Sequence, residues 1–156
     1  MTTDQIHSGG CYCSQIRYEV SGPAVWKSIC YCTTCTRISG AIAIAWAGFK
    51  NSNFRVAKGE IQFFESTPGI HRGFCNRCGT TLTYQKDPQV IHGAQDDIYV
   101  AIRTLDDPNA FPPDEHVFYA ERVNWFNVDD ERPHNEGVSA KYSHLQYLTL
   151  RTKSHS

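Results

Sequence analysis

The sequence predicts a mainly β fold in a single domain, with one or two short helices, and three observations carry that expectation. Polar and apolar side chains alternate with a period of two over most of the chain. Gly-, Pro- and Asn-containing turn signals divide the alternating runs at short intervals. Helix signals, by contrast, are confined to two brief stretches.

The elements follow in chain order. Gln15–Val20 alternates cleanly and closes at Ser21-Gly22-Pro23, a strand followed by a turn. Further strands are expected at Ala24–Ile29, Ala41–Phe49, Phe54–Val56, Gln62–Glu65, His71–Phe74, Thr81–Gln85, Asp97–Ile102 and His116–Tyr119. The better helix is Thr33–Ser39, started by threonine and stopped by Gly40. A weaker one is Ser139–Leu148, where Tyr142, Leu145 and Leu148 share a helical face. Asp129–Val138 is polar and turn-rich, and Arg151–Ser156 reads as a fraying tail. The chain shows no internal repeat and no linker, which leaves one domain over residues 5–128 and a partly irregular C-terminal extension over 129–156.

Composition narrows the classes. A chain of 156 residues with 40% hydrophobic content can bury a substantial core. A net charge of −1 with scattered Lys and Arg gives no electrostatic footprint for nucleic acid or an anionic membrane. The N-terminus lacks a basic and apolar leader, and no apolar run reaches membrane-spanning length, so a cytoplasmic location is expected. In that compartment thiols stay reduced, and clustered cysteines read as metal ligands rather than disulfides.

The seven cysteines form three tight groups: Cys11 and Cys13, then Cys30, Cys32 and Cys35, then Cys75 and Cys78. Short C-x-C and C-x-x-C spacings let two thiolates from one loop reach one tetrahedral cation, and structural zinc takes four ligands where catalytic zinc leaves one position open. Seven divides into four plus three. Cys11, Cys13, Cys75 and Cys78 would close a site that staples the N-terminal strand to the middle of the domain, with Gly79 supplying a positive φ after the second knuckle ligand. Gly9 and Gly10 would let the backbone fold sharply around the cation. Cys30, Cys32 and Cys35 would hold a second zinc with a vacancy, suited to a soft sulfur guest such as a small thiol. Spacing alone also permits an ordinary zinc ribbon, pairing Cys32 and Cys35 with Cys75 and Cys78 and leaving three thiols spare.

Other residue types carry weaker signals. His7 and His71 each lie four residues before a cysteine group but read as solvated or hydrogen-bonded side chains rather than ligands, and His116, the histidine best placed to line a pocket, reads first as a satisfied core or surface residue. Asp96-Asp97 and Asp106-Asp107 read as strand-edge and turn residues rather than an acid/base pair. Trp26, Trp46, Phe49, Phe63, Phe64, Tyr84 and Trp125 read as core or pocket wall.

Taken in order, G-G-C-Y-C-S-Q-I-R-Y-E-V, C-Y-C-T-T-C-T-R-I-S-G-A, G-F-C-N-R-C-G-T-T-L and T-L-D-D-P resemble the glutathione-dependent formaldehyde-activating (GFA) family, also called the centromere-protein-V-like domain. The resemblance runs from about Gly9 to Trp125. It implies a β-tent-like fold binding two zinc ions, with Cys11, Cys13, Cys75 and Cys78 on the structural one and Cys30, Cys32 and Cys35 on the catalytic one. It also implies a carbon–sulfur lyase activity on a thiol adduct, similar to S-(hydroxymethyl)glutathione synthase, with glutathione as the thiol partner. The sequence departs from the family at Tyr31, where a histidine is common between the first two cysteines of the middle group. Tyrosine, with an ordinary pKa near 10, does not exchange protons near neutrality as histidine does. The alternative of a different class is a zinc-stabilised binding module without turnover.

Overall fold

A computed structural model of the protein describes residues 5–142. Ten strands and one α-helix make up its regular structure: β1 (Ile6–Gly10), β2 (Arg17–Ser21), β3 (Trp26–Cys30), α1 (Thr33–Ser39), β4 (Ile44–Lys50), β5 (Phe54–Lys58), β6 (Gln62–Thr67), β7 (Ile70–Phe74), β8 (Thr81–Lys86), β9 (Asp97–Ala101) and β10 (Glu115–Val117). They form a three-stranded sheet in the order β1-β2-β5 and a seven-stranded sheet in the order β10-β3-β4-β9-β8-β7-β6. Every pairing is antiparallel except β10 with β3. Mainly β architecture in one domain is therefore what the chain adopts.

Period two explains how the large sheet is used. In the central strands, Ala47 and Phe49 of β4 and Ile98 and Val100 of β9 point to one face, and Leu82 joins them at the register shift in β8. There they pack with Ile16, Tyr18 and Val20 beside the small sheet. Their neighbours Trp46, Tyr84, Tyr99 and Ala101 point to the other face, where they meet Cys30, Cys32, Cys35 and Val117. All five residues of β9 are buried because this strand is covered on both sides. Cys11 and Cys75 belong to the first face, so the two cysteine groupings lie on opposite sides of one sheet.

Helix α1 spans the residues expected of it. Cys32 is its N-cap, accepting from the Cys35 N–H, and Gly40 ends it in the left-handed region at φ 66°, donating to Thr36 O. The expected strands are present with ends shifted by a few residues. β10 stops at Val117, earlier than expected, because Phe118 takes a left-handed conformation at φ 55° and Tyr119 begins a 3₁₀ turn. β1 was not anticipated, since Ile6-His7-Ser8-Gly9-Gly10 lacks the β-branched alternation of a strand. Gly9 and Gly10 serve close approach rather than a sharp turn: a Cβ on Gly9 would lie 2.5 Å from the Tyr18 ring.

Three aromatics expected in the core are not there. Phe63 and Phe64 are exposed because β6 is an edge strand with no neighbour beyond it, and Trp125 is 73% exposed. The polar stretch 129–138, in turn, is bonded by its backbone to β10. His116 N–H donates to Pro133 O, Asn135 N–H to His116 O, and Phe118 N–H to Gly137 O. Of the second expected helix, Ala140–Tyr142 form a 3₁₀ turn, and the remainder lies outside the described residues. Among the described residues, no helix is long and apolar enough to cross a membrane.

Candidate metal centres

The structure brings Cys11, Cys13, Cys75 and Cys78 together, with all four Sγ atoms within 4.8 Å of one another. Cys11 and Cys13 are 3.6 Å apart and Cys13 and Cys75 are 3.9 Å apart. Four sulfurs held tetrahedrally at the usual zinc–thiolate distance are separated by about 3.8 Å, so this donor set fits zinc. The loops that present them are held by backbone bonds. Ser14 N–H donates to Cys11 O in one, while in the other Gly79 N–H donates to Cys75 O and Cys75 N–H to Thr80 O. Gly79 has the positive φ, 75°, that this turn requires. Tyr12 N–H donates to Thr80 Oγ1 and ties the two loops to each other. The Cys11 thiol accepts from Ile16 N–H at 3.2 Å. Hydrogen bonds from Thr80, through its hydroxyl and then its backbone, lower the Cys78 thiol to about 5.

Cys30, Cys32 and Cys35 form a second, separate group, again within 4.8 Å and all buried. Among the described residues no fourth Cys, His, Asp or Glu joins it. The zinc-ribbon partition therefore does not describe this fold: Cys32 and Cys35 lie on the opposite face of the sheet from Cys75 and Cys78. Cys30 ends β3, Cys32 caps α1 and Cys35 lies in its first turn, so one strand-to-helix junction presents all three sulfurs. Hydrogen bonds from Cys30 and Cys32 hold the Cys35 thiol well below its ordinary value, assisted by the Arg72 cation. The same contacts with Cys32 and Cys35 push Cys30 up. Three thiols in mutual contact are a donor set from which a divalent cation can displace protons.

Sequence reasoning missed Arg72. Its side chain is 4% exposed, and Nη1 donates to Cys35 Sγ at 3.3 Å while Nε donates to Ser66 Oγ at 3.2 Å. The guanidinium also lies 5.0 Å from the centre of the Tyr84 ring. A buried arginine on one thiolate offsets the negative charge that three thiolates place in a low-dielectric interior. The signal in sequence, one arginine in the strand H-R-G-F, is indistinguishable from a surface residue.

The three thiols form part of the wall of a cavity of about 60 Å3, lined by Trp26, Trp46, Ile70, Tyr84, Val117 and Phe118 among others. A volume of this order holds a few water-sized groups, the scale of a compact ligand. Trp26, Trp46 and Tyr84 thus serve as pocket wall, and Phe49 as core.

Tyr31 and His116 turn out to be partners behind the second group. Tyr31 Oη and His116 Nδ1 are 2.9 Å apart, and both side chains are buried. His116 Nε2 lies 3.0 Å from Asp130 Oδ1, and since a carboxylate only accepts, Nε2–H donates there and the Tyr31 hydroxyl donates to Nδ1. Desolvation opposes the charge on Asp130, but hydrogen bonds from Arg132, side chain then backbone, and from His116 outweigh it and bring the carboxyl to about 2. His134 also converges on Asp130, but with Arg132 Nη1 2.7 Å from that carboxylate its charge is already matched by a protein cation. This network anchors the loop between Cys30 and Cys32 to β10 and to residues 130–134. His116 is thus a buried histidine with both ring nitrogens hydrogen-bonded, and it is not among the residues lining the cavity. Removing the hydroxyl by Tyr31→Phe leaves a buried imidazole nitrogen unpaired and is expected to cost about 1–3 kcal/mol. Calorimetry of the metal-loaded protein would read this as a Tm lowered by roughly 2–4 °C per kcal/mol; an unchanged Tm would contradict the anchoring role.

His7 and His71 join neither group. His7 packs edge-on against Phe111 at 4.7 Å between ring centres, and His71 sits in the β6–β7–β8 ladder opposite Glu65 and Gln85.

A β-domain with a group of four cysteines and a group of three, the second beside a cavity, defines a class of fold whose cysteine clusters could bind zinc. Residues 6–121 match the family described as glutathione-dependent formaldehyde-activating enzyme, and the chain belongs to that family. A search among curated proteins finds no match. Among solved structures, the chain is similar to a Rhodobacter sphaeroides protein determined as a structural-genomics target. The two share 20% identity with a TM-score of 0.52, over 66% of this chain and 93% of that one. At that identity the likeness concerns the fold.

Proposed function

We propose that this protein is a zinc-dependent enzyme of carbon–sulfur bond chemistry acting on a thiol adduct, in the manner of S-(hydroxymethyl)glutathione synthase. Cys11, Cys13, Cys75 and Cys78 hold the structural zinc and Cys30, Cys32 and Cys35 the catalytic one. The observation that supports this most directly is the incomplete set of three buried thiols forming part of a cavity wall. Zinc bound there supplies a positive charge and an open position that favour a thiolate guest.

In the forward reaction the thiol sulfur bonds to the aldehyde carbon, the carbonyl π pair moves to oxygen, and the thiol proton ends on that oxygen. The reverse breaks the same carbon–sulfur bond, and no redox partner is needed. The chain's own contribution is positional. The aromatic and aliphatic walls limit the access of water, the strand-to-helix junction fixes the three sulfurs, and Arg72 adds a charge-assisted hydrogen bond to the Cys35 sulfur that favours its thiolate form. Exchange between free and hydroxymethylated glutathione, followed by NMR with metal-loaded protein, is expected to accelerate over buffer. No acceleration with glutathione or any other thiol would leave a zinc-stabilised binding module in its place.

A further inference from the structure

The polar groups around the cavity are one-sided. Lys86 and Arg72 bring cations to its wall, Thr67 and Ser139 bring hydroxyls, and among the described residues no carboxylate lines it. Trp46 adds an orphan donor: its indole nitrogen is buried and has no hydrogen-bond acceptor among the described residues, while its ring forms part of the same wall. Lys86 donates to Tyr99 Oη at 3.1 Å and lies over the Tyr99 ring, and burial lowers its ammonium to about 8. A site rich in donors and cations on apolar walls is complementary to an acceptor-bearing anion and hostile to a second cation.

Part of the enclosure also comes from outside the family match. Val138 and Ser139 lie beyond the residues matched to the family, and Phe118 reaches the cavity from a left-handed backbone whose N–H donates to Gly137 O. Glutathione carries an ammonium as well as two carboxylates, and the described walls offer that ammonium no acid.

We infer that the cavity is selective for a compact thiol with an apolar body and a carboxylate but no ammonium, with Lys86 and the Trp46 N–H receiving the acid group. The inference rests on the reading of Cys30, Cys32 and Cys35 as an open metal site that takes a thiol.

The experiment uses protein loaded with Co(II), whose absorption bands report thiolate binding at the open site, titrated with 3-mercaptopropionate, 2-mercaptoethanol, cysteamine and glutathione. A charge-assisted hydrogen bond predicts that 3-mercaptopropionate binds about tenfold or more tighter than 2-mercaptoethanol, with cysteamine and glutathione weaker than the acid. In Lys86→Met the ratio of acid to neutral-thiol affinity is expected to fall to about one, and Lys86→Arg should retain the preference. Cysteamine or glutathione binding as tightly as 3-mercaptopropionate would overturn the inference and leave the proposed function standing. So would an acid preference that survives Lys86→Met, since the carboxylate would then be chelating the metal. If no thiol alters the spectrum, both readings fall.

Discussion

Cys75→Ser is expected to abolish the folded state. The side chain is fully buried in the main core cluster, and its sulfur joins two loops separated by more than sixty residues of chain. Assembly of a four-thiolate zinc site in zinc-finger peptides is worth about 10–16 kcal/mol, while whole domains are stable by only about 5–15 kcal/mol. Weakening that site by one ligand, with a hydroxyl left in an apolar position, therefore removes a share of stability comparable to the total. Circular dichroism and one-dimensional NMR would report it as loss of sheet signal and of dispersed resonances, with one zinc equivalent missing. A cooperative unfolding transition near that of the parent protein would refute the structural role assigned to the four cysteines.

Cys32→Ser is expected to do the opposite: spare the fold and remove the chemistry. Cys32 caps α1 through its sulfur, and serine is among the best N-cap residues, so the helix keeps its start. What is lost is a thiolate from a set of only three. Loss of an outer-shell partner typically costs 10–100-fold in metal affinity, and loss of a ligand should exceed about 100-fold, with a matching fall in adduct turnover. Metal analysis should find one equivalent instead of two, in a protein that still unfolds cooperatively at a Tm lowered only by the loss of the second metal. Retention of two equivalents and full turnover would refute the catalytic role of the middle group. The contrast between the two serine variants separates a metal that makes the fold from a metal that uses it.

Much of this arrangement is legible in the sequence because it is short-range. The C-x-C and C-x-x-C spacings bring thiols together whatever the fold, and T-T-C-T-R-I-S-G carries both ends of α1 within eight residues. Period two marks the strands because each has two different environments, as Tyr18 and Val20 show against Arg17 and Glu19. What escapes is long-range pairing between unlike residues. Arg72 reaches Cys35 across 37 positions and Tyr31 reaches His116 across 85, and neither partner has a spacing that advertises the other. Asp129–Val138 reads as irregular because its order comes from main-chain bonds to β10, to which side-chain pattern is blind. Phe63 and Phe64 err the other way, since hydrophobicity gives no hint that β6 is the last strand of its sheet.

The alternation of β4, β8 and β9 has a consequence for how such a protein changes over generations. Ala47, Phe49, Thr83, Ile98 and Val100 face the main core, while Trp46, Tyr84 and Tyr99, one position away along the same strands, face the side that carries the cavity. Selection for a new guest can act on one set while the other is held constant, so chemical diversification and structural upkeep are uncoupled residue by residue within single strands.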